Sequence, residues 1–374
     1  MKKKLLSLVA VSVLTMGLFA GCGSSSNAGS TASNSGSTGK DQIKVGMVTD
    51  SGTIDDKSFN QGTWEGILKA KEDLGIAEPK YLKPAGETKA DYMKEIGNLY
   101  DAGYRLIATP GFKFETAIYD AQEKYKDANF VIIDGTPNDG ADTPNYKVGD
   151  NSVAINFAEQ QAGFVAGVAA SAQLKEGDLG FIGGMKLPAV QKFNWGFQQG
   201  VAYANENLGT KMTLKAENVV YQGTFSDVAA GTQLANAMYD RGVKAIFCAA
   251  GGVGNGVITA AKSQVDAGKD VWMIGVDRDQ FEDGIYADGK SVVLTSAIKK
   301  VDSASYNMVK DFKDGKFPGG ESLVFDITKD AVGIPEKNPN LSDETMKIVN
   351  DIYAKLKDGS IKVADNNDDG KLFD

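Results

Sequence analysis

From Ile43 onward the chain alternates short runs of β-branched and aromatic residues with longer amphipathic stretches, and nothing else in the sequence limits the fold so strongly. Runs at Lys44–Thr49, Leu106–Thr109, Phe130–Asp134, Leu179–Ile182, Val219–Tyr221, Ala245–Ala249, Val271–Val276 and Val292–Ser296 read as strands, most of them too short and too apolar for surface helices. Between them, Phe59–Leu74, Tyr92–Ala102, Ala154–Ala172, Val190–Leu208, Asp227–Arg241, Val257–Ala267 and Val301–Asp314 carry helical patterns. Strand, helix, strand repeated this often predicts an α/β protein built of doubly wound parallel sheets with both faces covered. A length of 374 residues, 42% hydrophobic and 24% charged, suits about two such domains.

The residue inventory removes whole classes of chemistry. There is no histidine, so Ser-His-Asp and Cys-His triads and HExxH zinc sites are excluded. Two cysteines, Cys22 and Cys248, make neither a disulfide framework nor a zinc cluster, and Cys248 sits in an apolar run as a small hydrophobe. With 49 acidic against 40 basic side chains the formal charge is -9, which argues against a nucleic-acid partner. Carboxylate chemistry or plain binding remains, and no catalytic residue, cofactor or metal is assigned.

The N-terminus reads as an address. Lys2, Lys3 and Lys4 precede an apolar run from Leu5 to Phe19, the order of an export signal and too short to span a bilayer. It ends in Leu18-Phe19-Ala20-Gly21-Cys22, which resembles a bacterial lipobox with Phe19 where leucine is more usual. Residues 1–21 are therefore expected to be a lipoprotein signal peptide, with Cys22 carrying the lipid on the extracytoplasmic face of the cell membrane. Residues 22–42 form a flexible linker. Its Gly- and Ser-rich stretch Gly23–Lys40 cannot offset its own ordering entropy and has a span of about 25 Å.

In doubly wound sheets, ligands sit beyond the carboxyl ends of strands. After the first strand comes Thr49-Asp50-Ser51-Gly52-Thr53-Ile54-Asp55-Asp56-Lys57-Ser58-Phe59-Asn60, a polar loop in which Asp56 or Ser58 could cap the following helix. Phe59 either plugs the core or presents a ring face to a planar ligand. Asp277 follows a strand of pure hydrophobe, where its two oxygens could accept hydrogen bonds from a vicinal diol. The glycine run from Gly251 to Gly256 fails as a dinucleotide fingerprint, because Val257 stands where the last glycine is needed, and GxxxxGK[ST] is absent. Asp365–Gly370 has the first half of an EF-hand loop but no closing glutamate, so a solvated acidic tail is expected.

The segment Val48–Gly62 closely resembles the opening signature of the basic-membrane-protein (BMP) family of solute-binding lipoproteins, which includes PnrA-like purine nucleoside receptors. The similarity continues through Pro110-Gly111-Phe112, Val131–Asp134, Glu159–Gly163, Ala249–Gly254, Ile274–Gln280 and Leu294–Lys299. It implies a type I periplasmic-binding-protein fold, two doubly wound lobes joined by a hinge, with lobe 1 at 43–155 and 280–315 and lobe 2 with the tail at 156–279 and 316–374. The resemblance further implies that Phe59 and Phe225 stack on the two faces of a base. Asp50 and Asn60 would reach its edges, and Asp277 would take the ribose hydroxyls. Lys299 would neutralise Asp277 and donate to the sugar, while Gly251 and Gly252 would bring backbone close to it. Asp134 and Phe112 would line the site, and Phe193 and Trp195 would shape the second-lobe wall or core. The implied protein is a monomeric, lipid-anchored component of an ABC importer, capturing purine nucleosides for its permease and catalysing nothing. A same-fold receptor for a sugar or other small polar ligand, or a nucleoside hydrolase using Asp50, Asp55 or Asp277, are the alternatives.

Overall fold

A computed structural model describes residues 42–368 and 370–374; the predicted signal peptide, Cys22 and the linker through Asp41 lie outside the described residues. The chain first lays down β1 (Val45–Val48), α1 (Phe59–Leu74), β2 (Lys80–Leu82), α2 (Lys89–Asp101), β3 (Leu106–Pro110), α3 (Glu115–Lys124), β4 (Asn129–Ile133) and β5 (Ser152–Phe157). These strands pair in parallel in the order β2-β1-β3-β4-β5. The helices start and stop where local chemistry says they should. Thr88 and Asp91 close a reciprocal capping box at the head of α2, and Gly75 ends α1 in the left-handed conformation at φ 66°.

The second half repeats the plan. It runs α4 (Glu159–Leu174), β6 (Glu176–Gly183), α5 (Pro188–Leu208), β7 (Lys211–Tyr221), α6 (Val228–Asp240), β8 (Val243–Ala249), α7 (Val253–Asp266) and β9 (Trp272–Asp277). A small hairpin of β10 (Ile285–Ala287) and β11 (Lys290–Ser291) leads into β12 (Val293–Lys299), giving a parallel order β7-β6-β8-β9-β12. The chain then returns to the first sheet with α8 (Val301–Lys313), which packs on α1, and β13 (Ser322–Phe325), parallel to β5. It ends on the second sheet with β14 (Val332–Gly333), antiparallel to β12, and α9 (Asp343–Lys357), which packs on α4. Each sheet has six strands with helices around it, the doubly wound α/β architecture expected.

Two expectations need correction. Residues 293–299, assigned to lobe 1 with the rest of 280–315, pair with the second sheet, because β12 completes the ladder beside β9, while 285–291 pair only with each other as a hairpin; β13, assigned to lobe 2 with 316–374, pairs with the first sheet. The predicted helix Ala154–Ala172 begins only at Glu159; its first residues are the tail of β5, where Ala154 and Ile155 are buried between β4 and β13. The acidic residues Asp365 and Asp368 are exposed, as expected, and the chain docks on α5 beyond them, through its last two residues. Asn194 and Gln198 of α5 both donate to the Phe373 carbonyl, at 2.7 and 2.9 Å, and Trp195 Nε1 donates to Asp374 at 3.0 Å.

The polypeptide crosses between the sheets three times, at Phe157–Glu159, Lys299–Val301 and Phe325–Val332. The crossings are tied together: Ala158 N–H donates to the Phe325 carbonyl and Lys300 N–H to the Ala331 carbonyl, each at 2.9 Å. Helix α4, apolar nearly all round, lies against α5 with backbone almost touching backbone. A Cβ at Gly196 would fall 2.0 Å from the Gln160 carbonyl oxygen, so only glycine permits this seat. That contact fixes the start of α5, which forms one wall of the cleft.

Candidate ligand-binding site

The carboxyl ends of the two sheets face one cleft of about 440 Å³. On the first side, Asp56 caps α1: its carboxylate accepts from the backbone N–H groups of Ser58, Asn60 and Gln61 at 2.9, 3.0 and 3.1 Å. Ser58 has no capping bond. Its hydroxyl instead donates across the cleft to the Asp277 carboxylate. Asn60 does not cap; its amide nitrogen donates to both Asp50 and Asp56, at 3.0 Å each. The Gly52 N–H, at 2.9 Å, shares Asp50 Oδ1, while Oδ2 has no hydrogen-bond partner among the described residues. The turn therefore presents the next ring, Phe59, to the cleft.

Phe225, on the loop before α6, lines the same cleft from the second lobe. Gly184 makes room for it: a Cβ there would come within 2.3 Å of the ring. Gly251 lines the cleft beside it, in the left-handed region at φ 54°. Gly252 does not line the cleft; it starts α7 behind the Phe225 backbone, 3.1 Å from that carbonyl by its absent Cβ. Phe112 and Phe193 are lining residues, whereas Trp195, one helical step further on, holds the tail. Asp55 is exposed and away from the cleft, so it forms no carboxylate cage with Asp50 and Asp56.

The floor of the site is ionic. Lys299 ends β12, and its side chain is only 2% exposed. Its ammonium pairs with Asp134 and with Glu159, the latter at 3.0 Å, and lies 5.2, 5.1 and 5.8 Å from the ring centroids of Phe59, Phe157 and Phe193. Burial pulls the Lys299 pKa down, but Asp134, Glu159 and Asp277 outweigh it and raise it, so the lysine stays charged. Asp277 makes no direct ion pair with Lys299. Burial lifts its pKa to about 7 against the opposing pull of Lys299 and Ser58. Burial likewise raises Asp50, Asp56 and Glu159. Asp134 leaves one oxygen, Oδ1, without a partner.

Several cleft residues carried no assigned role in the sequence. Glu159 lies in a quoted motif, but its partnership with Lys299 joins two chain crossings that are 140 residues apart in sequence. Glu115 sits under the loop after β4, accepting from Thr136 N–H at 2.9 Å and Asn138 at 2.8 Å, and Tyr146 and Lys192 stand at the wall. Tyr146, 59% exposed, gave no periodic signal. Among the described residues, no group of three or more Asp, Glu or Cys side chains is arranged to hold a metal.

The family model described as "ABC transporter substrate-binding protein PnrA-like" matches residues 43–367. The chain belongs to this Bmp family. All the cleft residues of this Bmp-family chain fall inside the matched region. It is 37% identical to the CD4+ T-cell-stimulating antigen of Listeria innocua, over 97% of this chain and 99% of that protein. It is 33% identical to the ABC transporter nucleoside-binding protein BmpA of Lactococcus lactis subsp. cremoris, with the same coverage of each. A crystal structure of an ABC transporter solute-binding protein from Aeropyrum pernix K1 superposes with a TM-score of 0.73 at 23% identity, covering 87% of this chain and 94% of the other. The fold is that of the periplasmic-binding-protein type, and the Bmp family is one of solute-binding proteins, not an enzyme class.

Proposed function

We propose that this chain is the lipid-anchored substrate-binding protein of an ABC importer, capturing purine nucleosides between its lobes and delivering them to the permease. The observation that carries the reading is that Phe59 and Phe225, from opposite lobes, line one cleft that has Asp277 and Lys299 at its floor. A base between two rings gains about 1 to 3 kcal/mol per stacking contact, whichever base it is. Asp50, with one oxygen held and the other unpartnered, is the group suited to a base-edge donor, and Asn60 orients it. Asp277 accepts the ribose hydroxyls, and Asp134 and Glu159 hold Lys299 beneath the sugar.

Charge supports nucleosides over nucleotides. Six carboxylates line the cleft, Asp50, Asp56, Glu115, Asp134, Glu159 and Asp277, against Lys192 and Lys299, so a phosphate would enter an acidic chamber. Ligand contacts from both lobes favour the closed arrangement, the form offered to the permease. The protein performs no reaction and acts as a monomer. Cys22 holds it to the extracytoplasmic face of the membrane, and among the described residues no helix is long and apolar enough to cross one. The nucleoside-binding relative in Lactococcus lactis lends weight to the same reading.

Calorimetry of the soluble body with adenosine, guanosine, inosine and ribose tests it. Purine nucleosides should bind and ribose alone should not; binding of ribose with no preference for nucleosides returns the chain to the sugar-receptor reading. Overnight incubation with inosine should release no hypoxanthine, and release would establish a hydrolase. Cys22→Ala should free the chain from the membrane fraction.

A further inference from the structure

Beside the cleft the two lobes are joined by contacts that involve no ligand. Gln280, on the loop after β9, is only 1% exposed. Its amide oxygen accepts from Val276 N–H at 3.0 Å and its own N–H donates to Ser296 at 3.1 Å, which locks the side chain in place. The amide nitrogen then donates across the lobes to the Lys57 carbonyl at 2.8 Å. Lys57 is one of few non-glycine residues with positive φ, at 59°, a conformation that turns its carbonyl toward Gln280. Its ammonium pairs with Asp283 at 3.0 Å, and Arg278 lies 3.7 Å from Glu65 on α1 and 3.9 Å from Asp283. The same seam continues into the cleft as the Ser58–Asp277 bond.

We propose that Lys57, Gln280 and Asp283 are positioning residues for ligand capture, an interlock that sets the two halves of the binding wall relative to each other before a ligand arrives. They act through their neighbours: Lys57 adjoins Ser58, Phe59 and Asn60, and Gln280 and Asp283 follow Asp277 on the same loop. The role in capture rests on the nucleoside reading above. An equilibrium biased toward the joined form raises apparent affinity, because a ligand binds only the competent fraction. Part of the bias is ionic, so salt should weaken it even for an uncharged ligand.

The test uses Lys57→Met, which removes the Lys57–Asp283 pair, and Asp283→Asn, which removes that pair and the longer one to Arg278; both leave the buried Gln280 intact, and Lys57→Arg is the rescue. Two measurements are made on each folded protein: small-angle X-ray scattering without ligand, and calorimetry with inosine between about 0.01 and 1 M salt. The interlock predicts a larger radius of gyration for the Met and Asn variants. It also predicts an affinity loss of about two- to fivefold at low salt, a flatter salt dependence than wild type, and recovery of all three in Lys57→Arg. Variants that scatter like wild type and bind inosine with wild-type affinity and salt dependence overturn it. If inosine binds no variant and not the wild type, the nucleoside reading falls, while expansion of the ligand-free variants alone would uphold the interlock and its absence would refute it.

Discussion

Asp134 and Asp277 hold corresponding corners of the two sheets. Each stands at the carboxyl end of the fourth strand in orders that match position for position, β2-β1-β3-β4-β5-β13 and β7-β6-β8-β9-β12-β14. Both adopt the left-handed conformation, at φ 60° and 66°, and both charges act on Lys299 from opposite lobes. Only Asp134 pairs with it directly. Burial, not offset by a direct ion pair, lifts the Asp277 pKa to about 7 and makes it the group whose state ligand binding should change.

Affinity for a purine nucleoside should therefore depend on pH. The free Asp277 carboxyl has a pKa of about 7, and hydroxyls donating to the carboxylate would lower it in the complex. Binding should tighten as pH rises from about 5.5 to 7.5 and level off above, with protons released in that window. Calorimetry in two buffers of different ionisation enthalpy reads the release; its absence would mean that Asp277 does not receive the sugar.

The same residue should cost stability at high pH. A carboxyl whose folded pKa is raised from 3.8 to about 7 stabilises the fold below pH 3.8, and that contribution is lost as pH rises through about 7. Asp277→Asn, which tolerates the left-handed backbone, should raise the ligand-free unfolding free energy at pH 8, with a ceiling of about 4 kcal/mol, and the gain should fade toward pH 4. The variant should lose nucleoside binding. Urea titrations at several pH values check the first point and calorimetry the second.

Phe225→Ala should weaken purine nucleosides by about 1 to 3 kcal/mol, or roughly 5- to 150-fold, with little change in melting temperature, since the ring is half-buried on a loop. Gly184→Ala keeps the ring but places a methyl within 2.3 Å of where it now lies. It should reproduce much of the Phe225→Ala loss, and equal affinity for Gly184→Ala and wild type would show that the ring's present seat is irrelevant to binding.

Lys299→Met should destabilise the chain by about 3 to 5 kcal/mol, because Asp134 and Glu159 would keep buried charge without a partner. Burial already raises the Glu159 pKa and losing the ammonium removes the pull that opposes it, so Glu159 can take a proton and the deficit measured by urea unfolding should be smaller at pH 5 than at pH 8.

What could be read from residues alone follows the range of the interactions. Helix Phe59–Leu74 was bounded to the residue, because its stop, Gly75, is local. Asp277 at the end of its strand and Phe59 at the head of the helix after β1 were picked out by the fold rule, the roles of Asp50 and Phe225 came from the family resemblance, and the structure lines one cleft with all four. Gly252 matched the pattern but faces away, since one residue of rotation at the start of α7 decides it. The strand β5 was lost inside an alanine-rich run that suits either structure, and the assignment of 293–299 depended on a ladder with β9 that no local pattern encodes. Glu159 beneath Lys299 was invisible for the same reason: the pair exists only where two distant crossings meet.

Those crossings carry a mechanical consequence. Three parallel tethers, laced to one another and staked by a buried ion pair, resist twist and slip far better than one, so the halves are left with little freedom except to swing. Occupancy then becomes a single number, an angle, and under the proposed role in import a receiving permease need gauge nothing else to know whether the protein comes laden.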